Sequence, residues 1–231
     1  MEYLPNGFTL ELNEGCFPLS TDSMLLADFA KLPCNARVLD LGSGCATLGL
    51  LLCAKNSNCT VTGLEISESA HSAALVNIEH NALSSRLRSI CSDLRNLPAE
   101  FTGYFHCCIS NPPYFSGGPA SVTSPLARRD DECAPAELFQ AASRALRYGG
   151  DFFLVHKPEK LAQLISCGAV ATLEAKNLTL VRHKENGPIT LILLQFRKGG
   201  KPGLQIHEHC LFDAGGKPTA YYRNVYHIQG E

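Results

Sequence analysis

Ala36-Arg37-Val38-Leu39-Asp40-Leu41-Gly42-Ser43-Gly44 is the stretch that decides the fold. An apolar run broken only by Arg37 and Asp40 reads as a buried strand, and it empties directly into glycines. Glycine accepts backbone angles that other residues avoid and lets the main chain approach a ligand closely. A helix-like apolar run, Leu48 to Ala54, comes next, followed by a second strand, Thr60 to Leu64, ending at Glu65. Strand, glycine turn, helix and strand form the repeating unit of a parallel sheet, whose ligand crevice lies beyond the C-terminal ends of the strands.

The same alternation continues outward. Residues 67 to 82 have helical character, Leu87 to Cys91 is a short strand ending before Ser92-Asp93, and Tyr104 to Ser110 is a strand stopped by Asn111-Pro112-Pro113-Tyr114-Phe115. Two adjacent prolines continue neither a central strand nor a helix. Residues 116 to 133 are loop-like. Pro135 to Tyr148 reads as a helix stopped by Gly149-Gly150, then come a strand from Asp151 to His156 and a helix from Pro158 to about Cys167. Val170 to Val181 and Ile189 to Phe196 form a terminal antiparallel hairpin. Upstream, Ser20-Thr21-Asp22 caps a helix containing Met24, Leu25, Leu26 and Phe29. The chain is expected to be one domain over 1–231: an N-terminal strand and helix in 1–35, a core in 36–197, and a tail or small hairpin in 198–231.

Composition narrows the classes. The chain has 231 residues, 45% hydrophobic and 18% charged, so it has a core to bury and is not disordered. A net charge of -2 excludes binding nucleic acid through overall charge and requires any such surface to be local. Eleven cysteines with no tight Cys-x-x-Cys spacing point to reduced, packed thiols in a cytoplasmic protein and to no metal. Cys107 and Cys108, adjacent on a strand, should face opposite sides. No apolar stretch is long enough to span a membrane, and the opening residues lack the pattern of a signal peptide.

Four strand ends carry chemistry. Glu65 can accept from both hydroxyls of a ribose. Gly42 and Gly44 are followed by Thr47 where a dinucleotide fingerprint needs its third glycine, and Asp40 would repel a pyrophosphate, so a nicotinamide cofactor fits poorly. A carboxylate instead suits the ammonium or sulfonium end of S-adenosyl-L-methionine. Asp93 can accept from an adenine amino group or merely cap Leu94-Arg95. In the fourth strand's loop, the Asn111 side-chain oxygen and the Pro112 carbonyl are two acceptors for a conjugated NH2, whose delocalised lone pair is a weak nucleophile. Tyr114 can stack on a planar base, with Phe115 extending the wall.

Leu-Asp-Leu-Gly-Ser-Gly, Leu-Glu-Ile-Ser, Ser-Asn-Pro-Pro-Tyr-Phe and the N-terminal Phe-Pro-Leu-Ser-Thr-Asp-Ser-Met-Leu-Leu-Ala-Asp-Phe resemble class I S-adenosylmethionine-dependent methyltransferases. The likeness is closer to the bacterial enzymes that methylate N6 of adenine 37 in valine tRNA, and it covers roughly residues 7 to 196. It implies an α/β, Rossmann-like fold: a largely parallel seven-stranded sheet with a terminal antiparallel hairpin and helices on both faces. It further implies that Asp40, Gly42 and Gly44 hold the methionine side of the cofactor, Glu65 and Ile66 the ribose region and Asp93 the adenine. Asn111, Pro112 and Tyr114 would act on the target base, with Pro113, Phe115, Arg128 and Asp22 on the substrate side. Ala46 departs from the glycine pattern, and the tail only approximates the family's ending.

The Asn-Pro-Pro-Tyr motif is shared with enzymes acting on rRNA bases, DNA adenine and release-factor glutamine. Only about 35 residues precede the first core strand, which favours a compact tRNA enzyme over those carrying added recognition domains. The RNA surface would then be local: Arg128-Arg129, Arg182-His183-Lys184, Arg197-Lys198, Lys201, Lys217 and Arg223. Nothing in the sequence sets an oligomeric state, and a monomer is the default expectation.

Overall fold

The computed structural model describes residues 2–4, 7–12, 18–113 and 135–227. Two short strands, β1 (Glu2–Tyr3) and β2 (Thr9–Leu10), pair antiparallel and lead to α1 (Thr21–Phe29). The alternating body follows: β3 (Arg37–Leu41), α2 (Thr47–Lys55), β4 (Thr60–Glu65), α3 (Glu68–His80), β5 (Leu87–Cys91) and β6 (Phe105–Ser110). Further along come α4 (Pro135–Ala145), β7 (Leu146–His156), α5 (Leu161–Val170), β8 (Leu173–Lys184), β9 (Ile189–Lys198), β10 (Gln205–Phe212) and α6 (Ala220–Val225).

The main sheet has the order β10-β8-β9-β7-β6-β3-β4-β5. Only β9 runs against its neighbours, so the ends of β3, β4, β5, β6, β7 and β8 all open on one rim. Strand order reverses at β3, where β4 lies on one side and β6 on the other. That is the switch point at which a parallel sheet opens a ligand crevice.

Burial on both faces explains the apolar runs. Val38, Phe153, Val155, Leu191 and Leu193 belong to a core under α1, α2 and α3. Their sequence neighbours Leu39, Phe152, Leu154, Ile192 and Leu194 belong to a second core under α4 and α5. Cys107 lies in the first core and Cys108 in the second, the opposed placement the strand spacing predicts. In the second core Phe139 meets Phe152 and Phe196 edge-on, with centroids 5.3 and 5.0 Å apart.

Two sequence expectations are corrected. In place of a tail or small hairpin over 198–231 beside seven strands, the sheet has eight: β10 pairs parallel with β8, from Gln205 opposite Asn177 to Phe212 opposite Lys184. Gly149-Gly150 stops no helix. The helix ends at Ala145, and the glycines lie inside β7, where the pairing with β6 slips between Phe105–Leu146 and Cys107–Asp151. Gly149 has a φ of 76°, and a Cβ on Gly150 would come within 2.9 Å of the His106 carbonyl. An irregularity of this kind asks for glycine as strongly as a helix end does.

The N-terminal strand is held by two asparagines one turn apart on α3. Asn81 Oδ1 accepts from Thr9 N at 2.9 Å, and its Nδ2 donates to Thr9 O at 2.8 Å. Asn77, fully buried, does the same for Glu11 at 2.7 and 3.0 Å, and also donates to the Cys45 carbonyl at 3.1 Å. Asn77→Ala leaves the half-buried Glu11 main chain and the buried Cys45 carbonyl without their partner, and each unmet buried group costs on the order of 1–3 kcal/mol. Urea unfolding should show a loss of about 3 kcal/mol, with a much smaller loss for Asn81→Ala at the strand's outer end.

Candidate active site

The glycine turn is built by its neighbours. Gly42 N and Ser43 N both donate to the Leu64 carbonyl, at 2.9 and 3.1 Å, which folds the turn against the end of β4. Gly42 and Gly44 take φ of 74° and 54°, and a Cβ on either would meet nothing within 4 Å. The turn is therefore glycine for its backbone angles, with open space beside it. Gly63 has a different reason: a Cβ there would lie 2.6 Å from Ser43 Oγ. Ala46 caps α2 with φ 71°, so the residue standing for the third glycine is held left-handed despite its Cβ. That conformation costs an alanine roughly 1 kcal/mol.

Glu65 and Asp40 lie on adjacent strand ends. Glu65 Oε2 accepts from Gly44 N and its Oε1 from Ser67 N, both at 2.8 Å, so this carboxylate ties the glycine turn to the start of α3. Asp40 is 1% exposed, and neither of its oxygens meets a hydrogen-bond donor among the described residues. Burial, reinforced by the Glu65 charge, pushes the Asp40 carboxyl up to about 8. Ser43 Oγ beside them is likewise buried without a partner among the described residues. Buried polar atoms are normally satisfied. Three unmet oxygens and two acids at one turn make a site that lacks donors and positive charge. That chemistry fits a ligand bringing an ammonium or sulfonium group, and it fits a pyrophosphate badly.

Around this turn the other expected contacts sort themselves. Ile66 is 48% exposed at the end of β4, an apolar platform next to Glu65. Asp93 caps the turn after β5: its Oδ1 accepts from Arg95 N at 2.8 Å, and the Arg95 guanidinium grips both oxygens. That grip holds the Asp93 carboxyl below the usual carboxylate range. Arg95 meets both oxygens, so the structure shows the capping alternative for Asp93, and its adenine contact belongs to the proposal below.

The proline loop stands one strand away. Leu41 and Ser110 end β3 and β6, and Ser110 Oγ, fully buried, donates to the Leu41 carbonyl at 2.7 Å. Asn111 follows at once, with Pro112 buried and Pro113 exposed. Asn111 Nδ2 donates to Ser23 Oγ on α1 at 3.0 Å. Asp22, beside Ser23, is raised by burial, with Lys157 at the end of β7 opposing the shift. His156, fully buried on the same rim, accepts from Lys157 N through Nδ1 at 2.8 Å and is lowered by burial. Tyr114, Phe115 and Arg128 lie outside the described residues. Sequence reasoning missed Ser23, Ser43, Ser110 and His156. None of the four carried a local signal that points to the site.

A family model described as methyltransferase small domain matches residues 19–175. The chain is 30% identical over 215 residues to a tRNA1(Val) (adenine(37)-N6)-methyltransferase of Shewanella sp. (strain W3-18-1), covering 90% of this chain and 89% of the relative. The protein of that name from Photobacterium profundum is 28% identical over 92% of this chain and 93% of its own. The chain belongs to the methyltransferase small domain family, and within it to the tRNA1(Val) (adenine(37)-N6)-methyltransferases. The fold agrees: a crystal structure of a predicted O-methyltransferase from Agrobacterium tumefaciens superposes with a TM-score of 0.75 at 21% identity, over 90% of this chain and 96% of that one.

Within this family's sheet, the expected basic surface divides by strand direction. His183 and Lys184 end β8 and Lys217 lies in the turn after β10, all on the rim that carries Asn111. Arg182 on that rim pairs with Glu208. Arg197 and Lys198 end the reversed strand β9 at the opposite end of the sheet, which corrects their expected place beside the crevice. There Arg197 pairs with Asp151 at 2.8 Å, and Lys198 donates to the Ser143 and Leu146 carbonyls at 2.6 and 2.8 Å. Lys201 follows at that end. Among the described residues no group of three or more His, Cys, Asp or Glu is placed to hold a metal, and no helix is long and apolar enough to cross a membrane.

The buried Asp40 sets a pH dependence. Between its unfolded value near 4 and its folded value of about 8, the native state keeps a proton that the unfolded chain has lost. Stability of the ligand-free protein therefore falls as pH rises through that window, by up to about 1.4 kcal/mol per pH unit, and levels off above it. Asp40→Asn should remove this component, so that the variant melts above the parent at about pH 8 and near it at about pH 4.5. Parallel melting curves for the two proteins would refute the buried, unmet carboxylate.

Proposed function

We propose that this chain transfers a methyl group from S-adenosyl-L-methionine to N6 of adenine 37 in a valine tRNA. The observation that carries the proposal is the pairing of β3 with β6, which sets Asn111 beside a glycine turn whose buried Asp40 calls for a cation. The named relatives, matched over nine-tenths of this chain, support the same substrate.

When bound, the cofactor supplies a methyl on a positively charged sulfur, which leaves as a neutral thioether. Asp40 and the glycine turn hold its methionine end, Glu65 and Ile66 the ribose region, and Asp93 the adenine. Asn111 Oδ1 and the Pro112 carbonyl accept from the target NH2 and draw its lone pair out of conjugation. The nitrogen gains a methyl and loses one proton to solvent. Acceptors fixed before the reaction stabilise the positive charge that grows on nitrogen without reorganising. By the sequence expectation Tyr114 would stack on the base, and Pro113, Phe115, Arg128 and Asp22 would belong to the substrate side.

The tRNA would lie over the rim carrying His183, Lys184 and Lys217, with the adenine turned out of the anticodon loop into the pocket. We take the whole chain as one catalytic domain acting as a monomer in the cytoplasm.

Labelled cofactor offered to total tRNA, rRNA and release factors, followed by mass spectrometry, should place the label as N6-methyladenosine at position 37 of valine tRNA. Label on an rRNA base or on glutamine alone would overturn the substrate. Glu65→Ala should weaken cofactor binding by calorimetry at least about tenfold, since it removes a ribose acceptor and releases the glycine turn. Unchanged affinity would remove that assignment.

A further inference from the structure

We infer that Ser23 is a positioning residue for methyl transfer: its hydroxyl oxygen decides which way round the Asn111 amide sits. The inference rests on the role proposed above for Asn111. An asparagine side chain carries an acceptor and a two-donor group of nearly equal size, so packing alone does not choose between its orientations. The reaction does choose, because a target NH2 needs the oxygen. With the amide reversed, donor would face donor and the nitrogen lone pair would gain nothing.

Ser23 biases the choice: a hydroxyl can donate or accept, and here Ser20 Oγ and Asn111 Nδ2 both donate to it. Its Oγ receives Asn111 Nδ2 at 3.0 Å, across 88 residues of sequence, and at 7% exposure water does not stand in for it. The hydroxyl is itself directed. Ser20 caps α1, its Oγ accepting from Ser23 N at 3.2 Å, and it donates its proton to Ser23 Oγ at 3.2 Å. Two donors therefore converge on the Ser23 oxygen, and one of them is the Asn111 amide. The helix turn that carries this relay is tied down on both sides. Leu19 N donates to Glu2 Oε2 at 2.8 Å, and Tyr226 Oη donates to Thr21 Oγ1 at 3.0 Å. The helix cap so works as an orienting device for a side chain on another strand, with no contact to cofactor or base required of Ser23.

The test follows kcat, KM for transcribed valine tRNA and cofactor affinity in Ser23→Ala, Ser23→Thr, Asn111→Ala and the double variant. Melting temperatures check the fold. Ser23→Ala should lose about 10- to 100-fold in kcat with KM and cofactor affinity nearly unchanged, the effect of a misoriented catalytic group. Ser23→Thr should recover most of the rate. The double variant should be no slower than Asn111→Ala, because Ser23 acts only through that residue. Should Ser23→Ala fold poorly, Ser23→Cys keeps the volume and offers only a weak acceptor, and should show the same kcat loss. Parental kcat in Ser23→Ala with an inactive Asn111→Ala overturns the inference and leaves the role of Asn111 standing. A further multiplicative loss in the double variant overturns it as well. Parental kcat in Asn111→Ala removes the catalytic role itself.

Discussion

Ser110 Oγ reaches the Leu41 carbonyl in a place closed to water, and that hydrogen bond holds the ends of β3 and β6 level. Everything at the site is measured from there. One residue past Leu41 begins the glycine turn, and one residue past Ser110 stands Asn111. A slip by one residue in this parallel register would exchange the faces of β6 and carry Asn111 away from the turn. The two cores above and below the sheet guard against such a slip, since Cys107 and Cys108 are each committed to one of them.

The site is also where the chain departs from its own rules for stability. An acid is buried without a donor among the described residues, a second acid faces it, and an alanine is held in a glycine conformation. Each is unfavourable in the free protein, and each is sustained by features nearby. Asn77 fixes the Cys45 carbonyl, Glu65 fixes Gly44 N, and Leu64 accepts two amides of the turn. A ligand that brings donors and positive charge then binds to a surface already shaped for it, and binding relieves the electrostatic strain.

Much of this was legible in the residues. The strand ending in Gly42-Ser43-Gly44 and the one ending in Asn111-Pro112 each pair an unmistakable apolar run with a stop that only a loop tolerates. Glu65 was recognisable because it ends a strand next in order. Other features have no local signature. Gly149-Gly150 serves a helix end and an irregular strand equally well, and only the partner strand decides. β10 is polar and exposed along most of its length, so its alternation hides no core face and it reads as a tail. The contacts of Ser23, Asn77 and Ser110 span dozens of residues, and no pattern in a single window reports them. The basic residues divided along strand direction for the same reason: β9 reverses, and its two cations leave with it.

The hydrogen bond from Tyr226 to Thr21 joins residues 205 positions apart, and α6 lies against α1 through it. Contacts of such long range form late, because a large loop must close first. On a ribosome, the segment from β3 to β7 would have emerged well before α6 was made. A nascent chain would thus hold its glycine turn and its Asn111 for some time while the first turn of α1 still lacked its brace. The order of synthesis delays the finished pocket until residues near Tyr226 are free, and an RNA meeting the growing chain earlier would find an incomplete catalyst.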